Sequence, residues 1–171
     1  MSRRKLFLMF AGLVLLQVLI LNNVYMGGFI NPQLYVLFVL ILPFDIRGWH
    51  LLLLAFFLGL VIDVFEDSLA IHAAATVMLA FARPYMLKLL TGKQPDDAGD
   101  VPSFRTLGTM TLFTYALSLI LLHHMVLFFL EAFHFRDFTA TVMRVVLSGG
   151  LTLLFVIIGF ALFNRPSAKR R

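Results

Sequence analysis

At 171 residues, with 61% of them hydrophobic, 13% charged and a mean hydropathy of +0.95, the chain falls outside the composition of soluble domains and reads as an integral membrane protein. Crossings of about 20 to 25 residues leave room for about six helices with short loops and exclude a sizeable soluble domain. The net charge of +5 does not indicate nucleic acid, because Lys and Arg flank apolar segments instead of forming a stripe. The absence of cysteine excludes disulfides, thiol catalysis and thiolate metal sites.

The first predicted helix spans about residues 6–21, with Gln17 its one strongly polar interruption. Met1-Ser-Arg-Arg-Lys5 before an apolar run has the form of a secretion signal, but no small-x-small cleavage site follows Leu21, so the helix is expected to stay uncleaved. Asn22, Asn23, Gly27 and Gly28 end it. The next apolar block, Leu34 to Phe44, is too short to span alone, so a second helix is expected over about 29–44, with Asn31-Pro32 at membrane depth and neighbouring protein satisfying the freed backbone. A tight turn at Asp45–Gly48 leads to a third helix, about 49–65, with Trp49 as interfacial anchor. A fourth follows over 68–90, with Ser68 available as N-cap and Pro84 as a kink or effective end. Residues 91–104 form a polar loop. Fifth and sixth helices are expected over 107–130 and 138–163, before a basic tail, 164–171.

With both termini on one side, that face collects Arg3, Arg4, Lys5, Arg47, Arg83, Lys88, Lys93, Arg105, Arg165, Lys169, Arg170 and Arg171, twelve of the 14 basic residues. The positive-inside rule then makes both termini cytoplasmic and the number of crossings even. On this topology the polar residues gather in the outer half. His123 and His124 lie roughly 10 Å, and Arg144 roughly 9 Å, below the outer helix ends at 1.5 Å per residue. Asp63, Glu66 and Asp67 close the third helix there, His72 opens the fourth, and Asn22, Asn23, Asn31 and Glu131 stand at outer helix ends. Ionisable groups in hydrocarbon are costly and persist where they face protein or water.

Each piece reads two ways. Asp63 and Glu66, spaced i, i+3, are surface acids at a helix end or part of a buried site; twelve apolar residues precede Asp63, which favours its burial. Arg144 makes a structural ion pair with Glu131, Asp63 or Glu66, or captures a ligand. His123 and His124 are about 100° apart on a helix, so one is expected to face protein and the other lipid or water, without gripping one metal. His72 is an interhelical hydrogen-bonding group or a ligand contact. Gly59, Ala73, Ala74, Gly149 and Gly150 allow close helix approach, within the chain or in a homodimer.

Signatures of catalysis are missing. Gly92-Lys93 lacks the rest of a phosphate-binding loop, Gly-x-Ser-x-Gly is absent, and no acid interrupts the fourth or sixth helix to make a buried aspartate pair. A non-enzymatic chain without cofactor is expected.

The run Asn31-Pro32-x-x-Tyr35-Val-Leu-Phe-x-Leu-x-Leu-Pro43-Phe44, then Leu-Leu-Ala-Phe-x-Leu-Gly59-Leu-x-Ile-Asp63-x-Phe65, then His72-Ala-Ala-Ala-Thr76-Val and Arg83-Pro84, resembles the MreD family of rod shape-determining proteins in its Bacteroidetes-type form. His123-His124, Leu127-Phe-Phe-Leu-Glu131 and Arg144 with Ser148 extend the resemblance over nearly the whole chain. It departs at Ala70, where many members have glycine. The resemblance implies a bacterial inner-membrane scaffold of cell elongation that binds the bitopic partner MreC, and through it the MreB filament and peptidoglycan synthases. It also implies a bundle similar to the six-helix substrate-binding subunits of energy-coupling-factor vitamin transporters, which keeps a solute-binding membrane subunit as the alternative. The inner rim, Arg47, Arg83 and Arg105, is then expected to meet anionic headgroups or cytoskeletal partners.

Overall fold

A computed structural model describes residues 3–23, 29–92, 101–132 and 137–163. Within them the chain is all-helical: α1 (Arg3–Leu19), a 3-10 turn (Leu21–Asn23), α2 (Val36–Leu40), α3 (Gly48–Glu66), α4 (Ile71–Thr91), α5 (Phe104–Leu107), α6 (Thr109–Ala132) and α7 (Phe138–Phe163). Five of these elements, α1 extended through the 3-10 turn, α3, α4, α6 and α7, are long and apolar enough to cross a membrane. The chain is therefore a helical, multi-pass membrane protein by length and composition. Most of the expected 91–104 loop, the whole 164–171 tail, and Gly27 and Gly28 lie outside the described residues.

The expected second spanning helix is not continuous: only the five residues of α2 are helical between residues 29 and 44. Pro32 and Pro43 bracket the stretch and supply no backbone N–H, which limits the helix that can form between them. The segment still runs the length of the bundle. Its Asn31 and Gln33 lie level with Ser148 and Thr152 of α7, Leu37 packs against Gly159, and Leu42 reaches Arg83 of α4. Every residue from Tyr35 to Leu42 is at most 3% exposed. The five long helices thus surround a largely non-helical passage.

Side chains of the surrounding helices satisfy that passage. Gln17 of α1 accepts the Leu34 N–H at 2.8 Å and donates to the Pro32 carbonyl at 3.0 Å. Ser148 accepts the Asn31 N–H at 3.0 Å, and Thr152 accepts the Gln33 N–H at 2.9 Å. Farther along, Tyr115 of α6 donates to the Leu40 carbonyl at 3.1 Å, and Arg83 donates to the carbonyls of Leu42 and Pro43. Hydrocarbon offers no such partners, so irregular backbone at this depth requires polar side chains from its neighbours.

Arg83 is accordingly a correction to the expected inner rim. It is 2% exposed, with its Nε donating to Tyr115 Oη at 2.9 Å, whereas Arg47 and Arg105 are exposed. Pro84 does not end α4, which continues to Thr91. The expected fifth helix is α6, Thr109–Ala132, and the short α5 precedes it across Gly108, where φ is +77°.

α3 and α4 form an antiparallel hairpin. A Cβ on Gly59 would lie 2.6 Å from the backbone nitrogen of Ala73, so only glycine permits this approach. Of the other small residues, Gly149 packs toward Leu121, a Cβ there lying 3.3 Å from its Cδ2. Ala74 is exposed, and Gly150 faces open space, so neither serves the packing expected of it within this chain. Leu37 and Phe38 lie level with Gly159 of α7 and Phe10 of α1, so the start of α1 and the end of α7 share one end of the bundle.

Candidate functional site

Asp63 joins α3 to α4 one helical turn beyond Gly59. Helix N-termini leave backbone N–H groups without intrahelical partners, and a carboxylate there meets both the free donors and the positive end of the helix dipole. Asp63 Oδ1 accepts the His72 N–H and Oδ2 the Ala73 N–H, both at 2.9 Å. Ser68 was the expected N-cap; instead Ala70 occupies that position in the left-handed region (φ +59°) with no side-chain cap bond. The Ser68 hydroxyl donates to Asp63 Oδ1 at 2.6 Å, reinforcing the carboxylate that does the capping.

His72 continues the network outward. Its Nδ1 lies 3.1 Å from Asp63 Oδ1 and its Nε2 3.2 Å from Glu66 Oε2. Carboxylate oxygens accept, so the ring donates at both nitrogens only as an imidazolium; a neutral ring serves one of the two. The other Glu66 oxygen accepts from Asn22 at 2.8 Å, and Asn22 in turn accepts from Gln17 at 2.8 Å. One chain of hydrogen bonds therefore ties α1, α3 and α4 together, His72 and Asp63 being buried and Glu66 half-buried.

A second chain crosses α6 and α7. His123 and His124 are both 0% exposed, contrary to the expectation that one would face lipid or water. They point to different partners: His123 Nε2 lies 3.0 Å from Tyr35 Oη, while His124 bonds Thr152 and the Ile120 carbonyl. The carbonyl fixes the second tautomer. His124 Nδ1 must donate to Ile120 O at 2.9 Å, so its neutral ring accepts at Nε2 from the Thr152 hydroxyl at 3.1 Å. Thr152 thus accepts from Gln33 and donates to His124, which anchors the passage to both α6 and α7. Tyr35 packs edge-on against His72 and His123, linking the two chains. His123 Nδ1 has no partner among the described residues.

Arg144 adopts one of the pairings open to it: Nη1 donates to Glu131 at 2.9 Å, not to Asp63 or Glu66. With the Asn31 amide turned to suit, its oxygen accepts from Arg144 Nη2 at 2.9 Å, and the guanidinium lies 4.3 Å from the Phe128 ring centroid. The pair is partly exposed, so its contribution is about 0–1 kcal/mol.

The expected outer residues therefore form two connected networks. Asn23 stands outside both; it is exposed, and its amide donates to the Val18 and Leu19 carbonyls. Beside it a pocket of about 530 Å³ opens, with Asn22, Asn31, Gln33, Phe65 and Glu66 among its walls. Gln33, Tyr35, Ser68 and Thr152 are site residues that the apolar patterning passes over. A usable signal exists for one of them: Ser148 and Thr152 are spaced i, i+4 on an otherwise apolar helix. Among the described residues no group of three or more His, Asp or Glu side chains is arranged to hold a metal ion.

Set against protein-family models, curated proteins and solved structures, the chain matches none.

Proposed function

We propose that the chain is a non-enzymatic inner-membrane scaffold of bacterial cell elongation, of the MreD type, that holds the transmembrane helix of MreC against one flank of its bundle. Through MreC it would help position the MreB filament and the peptidoglycan synthases. In this reading the residue 30–43 passage is a sixth crossing, and both termini are cytoplasmic. The exposed Arg47, Lys88 and Arg105 then mark the cytoplasmic rim, with Trp49 stacked on His50 at headgroup level.

The observation that carries the reading is where the buried polar groups point. Asp63, His72, His124, Ser148, Thr152 and Arg83 are each bonded to another part of the same chain, chiefly to helix-end or passage backbone. Groups engaged in this way set helix positions. The surfaces left for a partner are the apolar flanks, where Phe7, Leu15 and Leu19 of α1 and Val146, Leu154 and Ile158 of α7 are exposed. Partner helices in a bilayer associate by close packing against such flanks.

The test is site-specific photo-crosslinking in cells, with a probe placed in turn at Leu15, Phe57, Phe81 and Leu154. Adducts to MreC confined to one flank are expected. Absence of an MreC adduct from every flank, with the protein inserted and folded, would remove the proposal.

A further inference from the structure

Gln33 is 3% exposed, and its side chain reaches the wall of the polar-end pocket. Its Oε1 accepts from Gln17 at 3.3 Å, but its amide nitrogen has no partner among the described residues. The amide nitrogen is not sealed inside protein, unlike His123 Nδ1 and Arg144 Nε: it opens to the pocket, so its N–H donors are available to whatever occupies that space. These donors face a space of about 530 Å³, within the range of small-molecule sites.

The other walls narrow the ligand chemistry. Glu66 Oε1 and Oε2 each hold one donor, Asn22 and His72, and keep further acceptor capacity. Asn23 donates through its amide nitrogen to α1 carbonyls, and its oxygen has no donor among the described residues. An ammonium group would gain little here, since it cannot accept from Gln33 and meets a carboxylate already beside an imidazole. An anion would face Glu66. A hydroxyl suits all three, because one group accepts from Gln33 and donates to Glu66 or Asn23. Phe65, 60% exposed at the rim, adds an aromatic face for the apolar C–H side of a ring.

We infer that this pocket binds a neutral polyhydroxylated ring, a sugar, with Gln33 as donor, Glu66 and Asn23 as acceptors and Phe65 as stacking platform. The sugar belongs either to a free solute or to a glycolipid headgroup, since the pocket opens at the end where α1 closes. This site is independent of the scaffold role: loss of either leaves the other standing.

The experiment uses the full chain in nanodiscs of phosphatidylglycerol and phosphatidylcholine, free of sugar detergent. Thermal melting is followed with glucose, N-acetylglucosamine or maltose in solution, and separately with monoglucosyl-diacylglycerol in the disc. A saturable rise on the order of a few degrees is expected with at least one probe. A response to soluble sugars identifies a solute site, and a response to the glycolipid alone identifies a headgroup site. Phe65→Ala, at the rim and away from the core, should weaken binding roughly fivefold to tenfold with unchanged melting in the absence of sugar. Gln33→Glu keeps an acceptor for Gln17, removes the free donors and should abolish the shift. No shift with any of the four probes would overturn the inference, as would equal shifts in both variants or stabilisation by choline instead.

Discussion

Asp63 meets His72 twice, accepting its backbone N–H at 2.9 Å and facing its ring Nδ1 at 3.1 Å through the same carboxylate oxygen. Together with the Ala73 N–H on the other oxygen, this makes one side chain of α3 the N-terminal cap of α4. Asp63→Asn keeps the size but turns an amide NH₂ toward one of these donors. The expected loss is about 1–3 kcal/mol, read as lower thermal stability of the protein in nanodiscs, with Glu66→Gln much milder because Glu66 is half-buried. Equal effects of the two substitutions would show that capping is not what Asp63 contributes.

Two glycines make a controlled pair. Gly59→Ala drives a methyl into the backbone of α4 and should lower stability by about 1–3 kcal/mol or prevent folding. Gly150→Ala enters open space on a helix and should be neutral or stabilising by up to about 1 kcal/mol. Melting of both variants side by side checks the contrast.

Ala70 holds a left-handed conformation that L residues adopt at a cost, and Asp67 does the same three residues earlier. Ala70→Gly should raise stability by about 0.5–1 kcal/mol, as an increased melting temperature. A decrease would mean that the added chain freedom outweighs the relieved strain.

The passage depends on its side-chain partners. Thr152→Val preserves shape but strands the Gln33 N–H and removes the donor to His124, so a loss of about 1–3 kcal/mol is expected. Combined with His124→Phe the two losses should be less than additive, since both break one chain of bonds; a double-mutant cycle measures this coupling. Arg83→Ala should be severe for the same reason, while Arg47→Ala and Arg105→Ala, at exposed positions, should stay within about 0.5 kcal/mol.

What the sequence made legible follows from physics that is local in the chain. Apolar runs of spanning length located all five long helices to within about three residues, and the cost of charge in hydrocarbon singled out Asp63, His72 and Arg144 as paired groups. The Asn31–Phe44 stretch misled because its length and apolarity satisfy the criterion for a crossing, while its shape is decided by distant residues. Gln17, Ser148 and Thr152 lie 17, 117 and 119 residues from the backbone N–H groups they accept, those of Leu34, Asn31 and Gln33. Arg83 was misplaced for a related reason. Counted as a flanking charge it obeys the positive-inside pattern, yet Leu42, Pro43 and Tyr115 supply enough acceptors to bury it.

The proposed role is tested most directly by depleting the chain in its host while imaging cell width and purifying MreC from the membrane. Rounded or swollen cells, with MreC lost from its elongation complex, are expected. Cells of normal shape with MreC assembly intact would contradict the scaffold role.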